Sequence, residues 1–303
     1  MGTKLKLVNY ASQGKTRVGL VRGDLVFDLN QNAQIFGVRS GFGYIDQLLA
    51  EGALEDLIKS QDNLDSLSGG VSLADAKLLA PILCPEKILC VAVNYVSHGK
   101  EQNVTPSTEP YFFTKFRNAL IGPGDDILIP KVSKKVDWEV ELAVIIGKKG
   151  KYIPRESAMD YVAGYSVAND ISFRDLQFPP GYPDKPNPLG LDWVKGKSLD
   201  GAFPLGPWLV TKDEIRDPHN LKISLKVNGE TKQDSTTDEM VVRIDRLIES
   251  ASKGITLLPG DIISTGTPLG VALFSGQPFL KPGDVVEGSI SGIGTLSNKV
   301  REE

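Results

Sequence analysis

Glu139, Glu141 and Asp170 are the residues whose types and spacing point most directly to chemistry. The two glutamates stand two apart in DWEVELAVII, a run with strand composition. Alternate residues of a strand face the same way, so both carboxylates share one face. Val140, Leu142, Val144 and Ile146 make the opposite face wholly apolar, and the glutamates share theirs with Ala143 and Ile145. A carboxylate on so apolar a face must be paired, protonated or cation-bound, because an isolated buried charge costs too much. A second apolar run, YVAGYSVAN, reads as another strand and ends at Asp170. ISFRDLQ then reads as a short helix opened by Asp170, with Arg174 and Gln177 following on its side. Two strands thus bring three carboxylates together, beside a guanidinium and an amide. With no histidine or cysteine among them, these oxygens suit Mg²⁺, Mn²⁺ or Ca²⁺ better than zinc. The same residues also fit a plainer arrangement, a solvated edge strand carrying the glutamates and an ordinary N-cap at Asp170.

Other groups invite the same weighing. His98 and Glu101 lie three apart in VSHGKEQN, so on a helix they share a face and form an oriented base; a solvated loop fits as well, and Gly99 suggests mobility. His219, the only other histidine, sits in DPHNL and reads as structural. Lys115 lies among aromatics in PYFFTKF, where snorkelling explains it without function. Gly266, Thr267 and Gly270 in IISTGTPLGV make a turn able to aim N–H groups and a hydroxyl at an anion. KGKS at 195–198 is not a phosphate loop, because Gly190 stands one residue too far from Gly196 and no strand-to-helix context surrounds it.

The elements that must hold these groups are mostly strands. KLKLVNY, TRVGLVRG and DLVFDL open the chain as short strands, with Arg22-Gly23-Asp24 as a hairpin turn. Residues 44–60 have helical periodicity, interrupted near Gly52. KILCVAV and PYFFTKF are strands of a second unit, and a boundary near residues 75–85 divides the chain into a small N-terminal domain, 1–80, and a larger one, 81–303. Pro-Gly-Asp recurs at 123–125, 259–261 and 282–284, each time before a β-rich run. LKISLKVNGETKQDS is a hairpin turning at Asn228-Gly229, and MVVRIDRLIESASKG a helix ended by Gly254 and packed on the sheet. The Pro/Gly-rich stretch 178–194 reads as a long ordered loop or insertion near the site. VVEGSISGIGTLSNKV gives two closing strands.

Composition narrows the function classes. Hydrophobic residues make up 41% and charged residues 24% of 303, which is ordinary for a soluble globular protein. A net charge of −4 and the lack of basic clusters argue against nucleic acid or an anionic membrane as partner. Cys84 and Cys90, both in apolar context, read as a reduced pair. The N-terminus lacks a signal-peptide core and no run suits a transmembrane helix, so a cytoplasmic protein is expected.

Taken together and in order, NYVSHGKEQ, PYFFTKF, WEVELAVIIGKKG, MDYVAGYSVANDISFRDLQ, KGKSLDGAFPLGPWLV, LKVNGE and GDIISTGTPLGV resemble the fumarylacetoacetate hydrolase superfamily over roughly residues 85–300. The first 80 residues are loosely similar to the small N-terminal domain of some bacterial and archaeal members. The resemblance implies an α+β, β-rich fold: a mixed β-roll, sandwich-like, with a small N-terminal α/β domain, assembled as a homodimer. It implies that Glu139, Glu141 and Asp170 hold one Mg²⁺ or Mn²⁺ per subunit. His98 and Glu101 would be the water-activating pair on a mobile lid helix, and Lys197 the active-site lysine. Arg174 and Gln177 would surround the substrate, Gly266 and Thr267 hold its oxygens, and Lys115 line the site.

The substrate implied is a small 2-oxo acid. The leading expectation is hydrolysis of a carbon–carbon bond in an acylpyruvate-like diketo acid. The nearest rival is decarboxylation or isomerisation of a 2-oxo dicarboxylate, oxaloacetate or an oxo-heptenedioate, through the same metal-stabilised enolate. A non-catalytic β-domain with a structural cation is the remaining alternative; such a cation requires neither Lys197 nor the His98–Glu101 pair.

Overall fold

The computed structural model describes residues 5–178 and 192–303, so most of the stretch expected to be a loop at 178–194 lies outside the described residues. The fold is α+β and strand-rich, as expected. Its centre is the strand Val140–Ile146, every residue of which is buried. β-Branched residues on both faces suit a strand covered on both sides. It pairs antiparallel with Val162–Asn169 on one edge and Ile262–Ser264 on the other. The solvated edge strand is therefore excluded: this strand is interior to the sheet.

Among the described residues the large sheet continues in both directions. Beyond Ile262–Ser264 come a parallel neighbour, Ile88–Ala92, and then the edge strand Tyr111–Lys115. Beyond Val162–Asn169 comes Phe203–Thr211, then Lys6–Ser12, Lys15–Arg22 and Leu25–Asp28. The N-terminal strands thus extend the same sheet across the expected boundary at residue 80. The Arg22–Asp24 segment is the hairpin turn expected.

A second sheet begins with the hairpin Lys222–Val227 and Glu230–Thr236. Its turn residues, Asn228 (φ 52°) and Gly229 (φ 80°), are both left-handed, as a two-residue turn matched to strand twist requires. Val285–Ile290 and Gly294–Glu302 complete most of it. A Cβ on Gly288 would lie 3.1 Å from Val140, so the second sheet rests on the back of the central strand. That contact makes the sandwich. Each Pro-Gly-Asp turn does precede a strand: Ile127–Ile129, Ile262–Ser264 and Val285–Ile290.

The helices are short. Ile45–Ala50 and Leu54–Lys59 flank Gly52. Ile244–Ser252 starts four residues later than its sequence pattern, and packs on the 3₁₀ turn Arg155–Tyr161. His219 is structural, its Nε2 accepting from the Ile244 N–H at 3.1 Å. ISFRDLQ is not one helix. Ser172–Phe173 pairs with Val136–Asp137, and only Arg174–Gln177 is helical, so Asp170 is not its cap. Burial of Ile171 and Phe173 holds this stretch extended. Cys90 is buried but Cys84 is exposed, against the apolar setting expected for both. Among the described residues no helix is long and apolar enough to cross a membrane.

Candidate active site

The site forms where the central strand begins and its neighbour Val162–Asn169 ends. The Asp170 N–H donates to the Glu139 carbonyl at 2.8 Å, and the Glu139 N–H to Asn169 Oδ1 at 2.9 Å. These bonds bring Glu139, Glu141 and Asp170 together. Each offers an oxygen within 4.8 Å of the others, and all three side chains are buried. The spacing of the two glutamates and the strand-end position of Asp170 were both legible in sequence.

Three cations answer them. Lys197 Nζ donates to Glu139 Oε2 at 2.7 Å and to Asp170 Oδ2 at 2.9 Å. Lys115 Nζ donates to Asp170 Oδ1 at 2.5 Å and to the Ile171 carbonyl at 3.0 Å. Its side chain is wholly buried, so it does not snorkel. Arg174 Nη2 donates to Glu139 Oε1 at 2.6 Å, Nη1 to Gln177 Oε1 at 3.1 Å and Nε to Asp137 Oδ2 at 2.9 Å. Arg174 and Gln177 do meet at the site, one helical turn apart.

Glu141 is different. It accepts from Ser264 Oγ at 2.5 Å and the Gly266 N–H at 3.0 Å. Among the described residues no cation forms an ion pair with it. Burial, then the charges of Asp170 and Glu139, push its carboxyl up from 4.5 to about 8. Burial would raise Glu139 too, but Lys197 and Arg174 outweigh it and hold that carboxyl well below the usual range. Burial depresses Lys115 despite Asp170, whereas in Lys197 the pull of Asp170 and Glu139 overcomes burial and raises it. With all four ionised, the buried carboxylates Asp137, Glu139, Glu141 and Asp170 outnumber the three buried cations by one among the described residues; without a cation to hold, Glu141 keeps its proton near neutral pH instead. Three hard oxygen donors with an uncompensated charge fit a divalent cation, and Glu139, Glu141 and Asp170 are the residues that would hold it.

The histidine pair lies over this cluster. Val96–Glu101 is a helix, and His98 Nδ1 meets Glu101 Oε2 at 3.1 Å. Glu101 Oε1 accepts the Gly270 N–H at 3.0 Å. Gln102 reaches His98 Nε2, and the Phe274 ring stands edge-on to the imidazole, 6.2 Å between centroids. Gly99 is not a mark of mobility here: a Cβ there would lie 2.6 Å from the Val104 carbonyl, so close packing demands glycine. Gly196 of the KGKS stretch has the same reason. Its Cβ would lie 2.6 Å from Gln177 Cβ, so the helices Arg174–Gln177 and Trp193–Lys197 touch there.

The turn at 266–270 spends its donors on the protein. The Gly266 N–H binds Glu141, and the Thr267 hydroxyl donates to the Val140 carbonyl at 2.9 Å, although Thr267 also lines the cleft. That cleft has a free volume of about 40 Å³. Phe113, Trp193 and Phe274 wall it, the rings of Phe113 and Trp193 lying 4.5 Å apart between centroids and tilted by 33°. Sequence reasoning missed Gln102 and Asp137. Asp137 carried a signal, an acid two residues before Glu139 and so on its face. Gln102 carried one too, four residues after His98 and hence one helical turn away.

Comparison with known proteins follows this geometry. The fumarylacetoacetate (FAA) hydrolase C-terminal family matches residues 87–301. Oxaloacetate tautomerase fahd2, mitochondrial, from Xenopus laevis is 50% identical over 253 residues, 83% of this chain and 76% of that protein. Fumarylacetoacetate hydrolase from Exiguobacterium antarcticum superimposes with TM-score 0.81 at 32% identity, covering 99% of this chain and all of its own. Maleylpyruvate hydrolase from Sphingobium sp. SYK-6, in complex with manganese(II) and pyruvate, gives TM-score 0.78 at 30% identity, covering 98% of this chain and 99% of that one.

Proposed function

The chain belongs to the fumarylacetoacetate hydrolase family, and on that premise we propose that it interconverts the keto and enol forms of a small 2-oxo dicarboxylate of the oxaloacetate type. This reading displaces the carbon–carbon hydrolase favoured by sequence reasoning, because the 50% identical relative is named an oxaloacetate tautomerase. The observation that carries it is the His98–Glu101 pair facing a buried carboxylate cluster across a small cleft.

Glu139, Glu141 and Asp170 would hold one Mg²⁺ or Mn²⁺ per subunit. When bound, that ion would withdraw electrons from the 2-oxo group and acidify the adjacent C–H bond. With Glu141 ionised beside the ion, the site's −1 and the dication give a balance of +1, which suits an anionic substrate. His98 then carries a proton between the substrate carbon and the 2-oxo oxygen, so the enol O–H receives the proton that the carbon gives up. Its Nδ1–H donates to Glu101, which leaves Nε2 as the base towards the substrate carbon, with the Gln102 amide donating to it in the resting site. The Gly270 N–H fixes Glu101, and so the orientation of the pair. Lys197 faces the developing oxyanion with its charge intact, since its carboxylate neighbours keep it protonated. Phe113, Trp193 and Phe274 give the cleft an apolar wall. A cleft of about 40 Å³ suits a short diacid better than a long one.

Hydrolysis of an acylpyruvate is the second reading. It is favoured by the same base pair, able to deprotonate a water if one is admitted, and by the likeness to maleylpyruvate hydrolase. Decarboxylation of oxaloacetate would use the same enolate. The assembly proposed is a homodimer, on the family resemblance.

His98→Ala tests the mechanism. It should slow oxaloacetate tautomerisation by about 100-fold or more while leaving Mn²⁺ affinity intact. Glu139→Ala should abolish both. A wild-type rate in His98→Ala would remove the base from the mechanism; loss of hydrolysis alone would move the assignment to the second reading.

A further inference from the structure

We propose that Gln233 is a positioning residue for the carboxylate site, acting on Val140, whose N–H and carbonyl lie in the two successive peptides that link Glu139 to Glu141. The inference rests on the cation-site reading above. On one edge, Val140 pairs with Asn169 in the ladder of the large sheet. On the other edge the ladder has already ended, because Ile262–Ser264 pairs only with Ala143–Ile145. An interior strand with unpaired backbone groups is costly, so something must replace the missing strand.

Two side chains do so. The Val140 N–H donates to Gln233 Oε1 at 2.9 Å. The Val140 carbonyl accepts from Thr267 Oγ1 at 2.9 Å. Gln233 Nε2 donates to that same Thr267 Oγ1 at 2.9 Å, closing a ring, and also to the Pro268 carbonyl at 2.9 Å. Gln233 is 1% exposed and comes from the second sheet, not from the strands that carry the site. Gln233 thus holds the Glu139–Val140 peptide by its N–H, and Thr267, which Gln233 also binds, holds the Val140–Glu141 peptide by its carbonyl. Rotating either peptide about Val140 would turn the two carboxylates relative to each other.

Glutamine is the side chain the ring requires, one acceptor and two donors on one planar group. The neighbouring backbone reinforces it. A Cβ on Gly270 would lie 2.1 Å from the Lys232 carbonyl, so the 266–270 turn is pressed against the strand bearing Gln233. That turn also supplies the N–H groups that bind Glu141 and Glu101. One residue of the second sheet therefore holds both the spacing of the glutamates and the turn beneath the histidine pair.

The experiment is Mn²⁺ titration by calorimetry on the full chain, with thermal melting of the metal-free proteins beside it. Gln233→Leu and Thr267→Val each open the ring, and each should weaken Mn²⁺ binding by about 10–100-fold, the usual effect of losing an outer-shell partner. Thr267→Ser keeps the hydroxyl and should bind within about twofold of wild type. The double variant should be no weaker than the worse single one, since the ring opens only once. Gln233→Leu with wild-type affinity and a lowered melting temperature would overturn the proposal and leave Gln233 a core support. If Gln233→Leu does not fold, the threonine pair decides, and equal affinities for Thr267→Val and Thr267→Ser overturn it. A wild-type chain that binds no Mn²⁺ overturns the cation site itself, and this proposal with it.

Discussion

At Glu141, burial and two carboxylate neighbours favour the protonated form, and no cation of the described chain pairs with it. The consequence is a pH effect with a definite sign. The folded carboxyl titrates near about 8 and its ordinary value is 4.5, so between these the folded chain holds a proton that the unfolded chain has released. The metal-free protein should therefore lose stability as pH rises through that window, the loss being complete above about 8. A cation on the ionised carboxylate reverses this. The gain in melting temperature on adding Mn²⁺ should be larger near pH 8 than near pH 6; equal gains would mean that Glu141 is ionised throughout. Asp137 makes a second residue-scale case. It accepts from the Trp138 and Ala272 N–H groups at 2.8 Å, Leu273 N–H at 3.0 Å and Arg174 Nε at 2.9 Å. Asp137→Asn puts an amide N–H against one of these donors. It should cost about 1.5–3 kcal/mol in urea unfolding, and a neutral result would show that the pocket rearranges at no cost.

Two short helices depend on glycines for their approach. Gly99→Ala would drive the helix Val96–Glu101 from the Val104 carbonyl, and Gly196→Ala would part Lys197's helix from Gln177. Both variants should keep Mn²⁺ binding and lose turnover, Gly99→Ala by raising KM and Gly196→Ala by lowering kcat; steady-state kinetics separates them. Sequence patterning made the site strand and its neighbour readable, because DWEVELAVII and YVAGYSVAN alternate or run apolar for their whole length. It also made the Asn228-Gly229 hairpin readable, since two left-handed residues leave few other choices. The helix from Asp170 was misread, because ISFRDLQ carries helical spacing that the burial of Ile171 and Phe173 overrides. Lys115 was underread for a related reason. A lysine among aromatics usually snorkels, and only the tertiary position of Asp170, 55 residues on, shows what this one pairs with. The role of Gln233 had no sequence signal, since its partners lie on the 266–270 turn and the central strand.

In the whole molecule, the strands before residue 80 close the open edge of Phe203–Thr211 through Lys6–Ser12. We propose residues 1–80 as a unit of support rather than of chemistry. A fragment of residues 81–303 would bare that edge and should aggregate, as size-exclusion chromatography would register; a monodisperse, active fragment would contradict this. Sedimentation of the full chain tests the homodimer, and a monomer at all concentrations would remove it. The most direct measurement follows the enol of oxaloacetate by ultraviolet absorbance, with Mg²⁺, with EDTA, and with Glu139→Ala. The account predicts enol–keto conversion well above the Mg²⁺-only background, lost with EDTA and absent in Glu139→Ala. Conversion no faster than that background, alongside metal-dependent cleavage of an acylpyruvate, would contradict it.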